Sequence, residues 1–240
     1  MPDFCAAFGC SNGRNLKTRQ QGITLDMTMA FVPVVDFEVY KLGTSDVTDE
    51  NLQELCEEIR KAFTDVGFVF LKNTGIEQKE VDHVMDISKK FFLLPEEEKR
   101  PYSRGNYTNN GNHEWVSSER ESLNPERPGD LKEAFNTTSL KADIVLNKNK
   151  EFISVPSIPG TVLINIADLM QRWTSDVFVS ALHRVLLPPE NDSSTRQALA
   201  FFVQPDNDAI IKCCDGSDKY PPVNSLDYLL SRFNLTYGKN

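Results

Sequence analysis

Apolar residues recur at three- and four-residue intervals in three stretches of the chain, and this spacing predicts three amphipathic helices. The first follows Thr48, whose hydroxyl can cap a helix, has Asp49 and Glu50 in its first turn and ends before Gly67. The second ends before Pro95, and the third lies near the end of the chain. The apolar positions of the three helices are Leu52, Leu55, Cys56, Ile59, Ala62 and Phe63; Val81, Val84, Met85, Phe91 and Phe92; and Leu226, Leu229, Leu230 and Phe233.

Short runs rich in β-branched and aromatic residues alternate with helices in the first half of the chain and follow one another in the second half. Turn residues separate them, which indicates antiparallel sheets arranged as a sandwich or jelly roll. The sequence therefore predicts a mainly β protein with N-terminal helices, of the α+β class. The predicted strands are residues 31–37, 68–71, 134–138, 152–155, 161–166, 177–187, 198–203 and 209–213.

Three stretches lack a periodic pattern. Residues 1–26 contain none long enough for an element, so we expect a disordered leader. Residues 96–131 are charged and rich in Asn, Gly and Pro, and so long a stretch without structure is usually functional or mobile. A Lys-rich polar joint follows at residues 141–150. These features divide the chain into the leader, an N-terminal region over residues 27–140 and a C-terminal half over residues 141–240.

Composition narrows the class of protein. The 240 residues are 40% hydrophobic and 25% charged, as in globular proteins, and their net charge of −9 opposes binding to nucleic-acid phosphates. No apolar run is long enough to span a membrane, and the N-terminus lacks the pattern of a secretory signal. Five cysteines without a repeating spacing fit reduced thiols. We therefore expect a cytoplasmic protein, with the nucleus as the alternative.

The three histidines are the first candidates for chemistry. His83 falls on the polar side of the second predicted helix and fits a solvated histidine, whereas His113 beside Glu114 could ligate a metal from a loop. His183 lies inside a predicted strand, where a buried imidazole is either a satisfied core group or a ligand. Arg196 opens the next strand, so both side chains could share a cavity and hold a metal together with an oxo-acid.

A family resemblance rests on two stretches. The run from Pro159 to Thr174, followed by His183-Arg184-Val185, resembles the C-terminal part of isopenicillin N synthase-like 2-oxoglutarate/Fe(II)-dependent oxygenases. Residues 31–138, with Pro33-Val34-Val35-Asp36 and Gly67-Phe68-Val69-Phe70, resemble the N-terminal region of that family. The resemblance implies a partial double-stranded β-helix, or jelly roll, and the oxidation of a small molecule coupled to decarboxylation of 2-oxoglutarate. The implied cofactors are Fe(II) and 2-oxoglutarate.

The same resemblance assigns two site residues. His183 matches the distal iron-binding histidine of the family, and Arg196 matches the arginine that binds the far carboxylate of 2-oxoglutarate. The serine that accompanies this arginine is replaced by Ala198. The other two iron ligands of the family form a His-x-Asp pair, and this sequence contains no His-x-Asp.

The missing pair predicts impaired turnover, and no catalytic residue is assigned. The chain passes directly from Leu140 through the Lys-rich joint to Glu151, which we interpret as an internal deletion. His113 with Glu114 could replace the lost ligands, but both precede the deletion. The alternative to an enzyme is a non-catalytic variant that pairs with the intact enzyme, or self-associates, through open sheet edges.

The leader has a resemblance of its own. Residues 1–24 resemble the start of a THAP-type zinc finger, in which Cys5 and Cys10 match the first ligand pair. The second pair is missing, because Cys213 and Cys214 are not followed by a histidine at the required step. A zinc-dependent DNA-binding protein is therefore the third hypothesis.

Overall fold

The computed structural model of the chain contains a mixed β-sheet with helices around it. It describes residues 4–8, 31–45, 47–103, 113–116, 134–137, 144–146, 152–184 and 197–237. The helices are α1 (Asp49–Asp65), α2 (Gln78–Phe92), α3 (Glu96–Lys99), α4 (Asp168–Trp173) and α5 (Ser225–Tyr237). The strands are β1 (Phe4–Phe8), β2 (Val34–Asp36), β3 (Phe68–Lys72), β4 (His113–Val116), β5 (Ala134–Thr137), β6 (Ile144–Leu146), β7 (Phe152–Ser154), β8 (Thr161–Ile166), β9 (His183–Arg184), β10 (Leu199–Phe202), β11 (Ile210–Ile211) and β12 (Val223–Asn224).

Helix α1 forms as the sequence predicts. The Thr48 hydroxyl oxygen accepts a hydrogen bond from the amide of Asn51 at 3.3 Å, which satisfies one of the free amides of the first turn. The helix stops at Gly67, which has a φ of +77°. It buries Leu55 and Phe63 against the sheet.

The five-stranded sheet has the order β10-β1-β8-β3-β2. Its only parallel pair among the described strands is β2 with β3, whereas β8 is antiparallel to both β3 and β1. Three smaller sheets have the orders β7-β6-β9, β4-β5 and β11-β12. Strand β9 pairs with β6 so that His183 lies opposite Val145.

Successive side chains along β3 and β8 point to opposite faces of the sheet, and two separate cores form on these faces. Val69 and Leu71 point toward α1 and α4, and Phe68 and Phe70 point to the opposite face of the sheet. The helix-side core consists of Val35, Leu55, Ala62, Phe63, Val69, Leu71, Ile166 and Met170. The other core consists of Val32, Phe68, Phe70, Val155 and Ala181, with Val66, Ile153, Ile158, Leu163 and Val179 packed against it.

A charged cluster attaches α5 to α4. Tyr228 donates a hydrogen bond to the Asp168 carboxylate at 2.9 Å, and the Nε atom of Arg232 donates to the same oxygen at 2.6 Å. Burial and the negative charge of Asp168 raise the pKa of Tyr228 to about 12. The neutral phenol is therefore the form that the folded chain favours.

The structure confirms the three predicted helices and the strand 161–166, but it corrects other predictions. Residues 177–187 do not form one long strand, because His183–Arg184 is the only strand among the described residues 177–184. Ser175 and Asp176 have positive φ values, and the irregular segment behind them bonds to α1 and α4 rather than to a strand.

Three stretches without a periodic pattern contain elements. Within the predicted leader, residues 1–26, Phe4–Phe8 is a strand that obtains its partners from two distant strands. Helix α3 and strand β4 fall within residues 96–131. The polar joint 141–150 contains β6, which pairs with β7 and β9. None of the helices in the described ranges is both long and apolar enough to cross a membrane.

Candidate functional site

His183 is placed by contacts on two sides of its ring. The imidazole meets the ring of Phe68 edge-on, with the centroids 5.4 Å apart and the planes at 80°. Its Nδ1 atom lies 3.0 Å from the carbonyl oxygen of Ala181. The half-buried ring therefore borders the core that contains Phe68 and Ala181, on the sheet face opposite the helices.

The bond to Ala181 fixes the tautomer of the imidazole. A carbonyl oxygen only accepts hydrogen bonds, so Nδ1 carries the proton and donates it. In the neutral form of the ring, the lone pair then lies on Nε2. Histidines that ligate metals commonly have this arrangement, in which the second ring nitrogen donates to a carbonyl or carboxylate. This contact is compatible with the predicted role of His183 as a metal ligand, which stays a prediction.

A close approach of two backbone segments sets the position of Ala181. Gly67 lies so near residues 179–181 that a Cβ atom on it would be 2.0 Å from the carbonyl oxygen of Val179. The amide of Val179 donates to the carbonyl of Phe63 at 3.0 Å. The chain that leads to His183 is thus fixed to the end of α1 and the start of β3.

A polar network holds the preceding turn. The side chain of Gln171 accepts from the amide of Ser180 at 2.7 Å and donates to Asp176 at 2.9 Å. Lys219 lies 2.7 Å from the Asp176 carboxylate, and its hydrogen bond lowers the pKa of that carboxyl. Tyr220 also donates to Asp176, at 2.9 Å. Sequence reasoning missed this network because it assigned residues 177–187 to a strand, although the Ser175-Asp176 pair is a turn signal.

The remaining candidates do not join His183 in a metal site. The described part of the chain contains no group of three or more His, Cys, Asp or Glu side chains that could hold a metal ion. His83 is exposed on α2, as predicted for a solvated helix histidine. His113 begins β4, and its side chain lies outside the described residues, as does that of Glu114. Among the described residues, no set of side chains around His183 fits a complete iron centre, and its role as a metal ligand stays a prediction.

The Arg196 prediction lies outside the described residues, so its placement beside His183 stays a prediction. Ala198 is described and lies half-buried just before β10. Its methyl side chain cannot donate the hydrogen bond that a serine hydroxyl would supply at this position.

The leader cysteines have no described zinc partners. Cys5 lies within β1, and Cys10 is outside the described residues. Cys56, Cys213 and Cys214 are free thiols. Zinc binding by the first two cysteines stays a prediction.

Two family models match the chain. The non-haem dioxygenase in morphine synthesis N-terminal model matches residues 32–155, or 124 of the 240 residues. The 2OG-Fe(II) oxygenase superfamily model matches residues 135–205, which include β8, β9 and β10. The two matches overlap over residues 135–155.

The curated relatives align with this chain over only part of their own length. The UPF0676 protein C1494.01 of Schizosaccharomyces pombe is 37% identical over 95 residues, which are 38% of this chain and 29% of that protein. Kihadalactone A synthase LFS of Citrus sinensis is 33% identical over 86 residues, which are 33% of this chain and 24% of the synthase. The chain thus spans about a quarter of the length of the curated relatives it matches.

The fold is that of solved 2-oxoglutarate oxygenases. A full-length Neurospora crassa protein, solved in complex with alpha-KG, superimposes with a TM-score of 0.69 at 20% identity, covering 84% of this chain and 95% of the fungal chain. A mainly β fold with N-terminal helices and a partial jelly roll is therefore confirmed. Relatives of this kind use Fe(II) and 2-oxoglutarate. The chain belongs to the isopenicillin N synthase-like family of 2-oxoglutarate/Fe(II)-dependent oxygenases.

Proposed function

We propose that this chain is a catalytically impaired member of its family, which has the oxygenase fold and one iron-binding imidazole but lacks a complete iron centre. In the family, oxidation of a small molecule is coupled to decarboxylation of 2-oxoglutarate. The observation that carries the proposal is the absence of any His-x-Asp among the three histidines of the sequence. A single imidazole does not hold Fe(II) against water, because affinity comes from several convergent, oriented ligands.

The extent of the family matches supports an internal shortening. The N-terminal model and the oxygenase model share residues 135–155, so no residues separate the two regions of the family in this chain. The lost ligand pair would belong to the segment between them. His183 lies after the shortened region, whereas β6, which pairs with its strand, lies within the Lys-rich joint.

Arg196 would retain part of the 2-oxoglutarate site. Its guanidinium suits the far carboxylate of the co-substrate, because it donates two parallel hydrogen bonds to a carboxylate. Ala198 removes the hydroxyl donor, and the absent iron ligands remove the anchor for the other end of 2-oxoglutarate. We therefore propose that 2-oxoglutarate binds weakly.

An anaerobic titration with Fe(II) and 2-oxoglutarate tests the proposal. We expect sub-stoichiometric iron and no metal-to-ligand charge-transfer band in protein whose fold is verified by circular dichroism. His183→Ala removes the proposed ligand, and His83→Ala is the matched control because His83 is an exposed helix residue. Near-stoichiometric iron with a band that His183→Ala abolishes and His83→Ala retains would refute impairment.

A second candidate function is pairing with another chain, either a second copy or the intact enzyme. Strand β10 is an edge of the five-stranded sheet among the described strands, and its Phe201 side chain is 61% exposed. An exposed apolar edge strand favours pairing with another strand. Sedimentation velocity should show association that Phe201→Lys weakens and Leu42→Lys does not, since Leu42 is 69% exposed in a turn outside the sheets. A monomer at all concentrations would contradict self-association, and a monomer that also fails to bind an intact relative would contradict pairing.

The substrate class and the cellular location complete the proposal. The Neurospora crassa protein has been solved with thymine and JOX2 with JA, so we propose a small molecule as the ligand of any residual pocket. Free thiols at Cys56, Cys213 and Cys214 fit a reducing compartment, and we propose the cytoplasm.

A further inference from the structure

Strand β1 occupies the interior of the five-stranded sheet although it comes from outside both family matches. The matches begin at residue 32, whereas β1 is Phe4–Phe8. Its two neighbours, β8 and β10, both lie within the oxygenase match. A segment outside both family matches therefore connects two strands that lie within the oxygenase match.

The register of β1 is continuous on both sides. Five residue pairs join it to β8, from Phe4 opposite Ile166 to Phe8 opposite Val162. Four pairs join it to β10, from Cys5 opposite Phe202 to Phe8 opposite Leu199. Both pairings are antiparallel.

Removal of β1 would leave a gap between its neighbours. Adjacent strands lie about 4.8 Å apart, so β8 and β10 are separated by about 9.6 Å, which is too far for direct hydrogen bonds. Each would then present an unpaired edge. The 22 residues between Phe8 and Phe31 give 23 Cα–Cα steps, which reach about 76 Å at about 3.3 Å per step and are ample for pairing within one chain.

We propose that residues 4–8 are an intramolecular donor strand that closes the oxygenase sheet between β8 and β10. The slot accepts one extended segment of about five residues in antiparallel register, and the leader of the same chain occupies it. In this role Cys5 lies within the sheet, and the leader has a structural role that does not involve zinc binding. It does not depend on whether the iron centre is complete.

The amides of β8 distinguish its two neighbours. The amide of Ile166 donates to the carbonyl of Gly67 at 2.9 Å, on the β3 side. Because successive amides in a strand point to opposite sides, Ile164 also faces β3, whereas Leu163 and Asn165 face β1. Protection of the latter pair from hydrogen exchange therefore reports on β1 alone.

Amide exchange by NMR on the full chain tests the donor strand. Ala7→Pro removes an amide from a strand paired on both sides, which a central strand does not tolerate, and Ala7→Ser keeps that amide. We expect protection of Leu163 and Asn165 to fall by roughly tenfold or more in Ala7→Pro only. Loss across all of β8 in Ala7→Pro but not Ala7→Ser would also support the proposal. Unchanged protection in Ala7→Pro, or rapid exchange of Leu163 and Asn165 in the natural chain, would overturn it.

A cross-link tests register and chain identity independently. Cys5 lies opposite Asn165, and cross-strand neighbours at this spacing are within disulfide range. Mild oxidation of Asn165→Cys should join Cys5 to the introduced thiol within a monomer, as mapped by peptide mass spectrometry, and Cys5→Ser should abolish the link. A link through Cys10 would overturn the register, and a covalent dimer would overturn the intramolecular assignment.

Discussion

Substitution of Gly67 by alanine tests the close approach that leads to His183. Gly67 has a φ of +77°, and a Cβ atom there would lie 2.0 Å from the carbonyl oxygen of Val179 and 3.1 Å from its carbonyl carbon. Both atoms belong to the backbone, so no side chain can rotate away. Either α1 and β3 or the 179–181 segment must move.

Two costs add in Gly67→Ala. A left-handed conformation costs an L-residue roughly 1–2 kcal/mol, of which the stiffer unfolded chain offsets about 0.4–1 kcal/mol. Overpacking against a fixed neighbour adds typically about 1–3 kcal/mol. We expect Gly67→Ala to lower the free energy of unfolding by about 2–4 kcal/mol. Gly216 has the same φ of +77° but nothing within 4 Å of its would-be Cβ, so Gly216→Ala should cost only about 1 kcal/mol.

Urea unfolding followed by far-UV circular dichroism measures both variants, and their difference isolates the steric cost from the cost of positive φ. The imidazole NMR signals of His183 should shift in Gly67→Ala and stay in place in Gly216→Ala, because only the first variant moves the Ala181 carbonyl. Equal destabilisation of the two variants would refute the close approach, and with it this account of how the histidine is positioned.

Three further predictions concern single side chains. A hydrogen bond from Asn73 lowers the pKa of Asp36 to about 2. The natural chain should therefore be more stable than Asp36→Asn above pH 4, and this difference in the free energy of unfolding should disappear as the pH falls toward 2. Urea unfolding that shows the same difference at every pH would contradict this. Tyr228→Phe removes the bond to Asp168 and should cost about 1 kcal/mol, and absorbance titration of the natural chain should show a tyrosine near pH 12 that the variant lacks. Because that pKa is raised, the associated stability is lost as the pH rises from about 10 to 12. Thr48→Ala should cost about 1 kcal/mol in thermal unfolding, whereas an equal loss in Thr48→Ser would argue against the cap.

Local signals explain which elements could be predicted. Helix α1 has a cap at Thr48, an acidic first turn and a stop at Gly67, all of which the structure contains. The sequence predicts strand β8 with the bounds that the structure has, because turn residues precede it and its apolar run is short. These elements depend on interactions within a few residues of sequence.

Long-range partners explain what could not be predicted. Strand β1 has only five residues and obtains its hydrogen bonds from strands more than 150 positions away, so no local pattern reveals it. The sequence identifies His183 as a candidate, but its contacts with Phe68 and the Ala181 carbonyl depend on how β3 meets the 179–181 segment. A carbonyl partner leaves no signal in residue type, because every residue has one.

The position of His183 does not require a metal. Its proton is held by a backbone carbonyl, its ring rests on Phe68, and both belong to a core built from apolar side chains. Iron ligands contribute to binding of the metal. The two described cores, by contrast, consist of apolar side chains and contain no such ligands. Under the proposed function, the absence of a His-x-Asp pair would therefore remove the chemistry while the family fold and the His183 imidazole stay in place. In the shortened domain that we propose, the sheet would lose strand pairing between β8 and β10, which is the position that β1 fills.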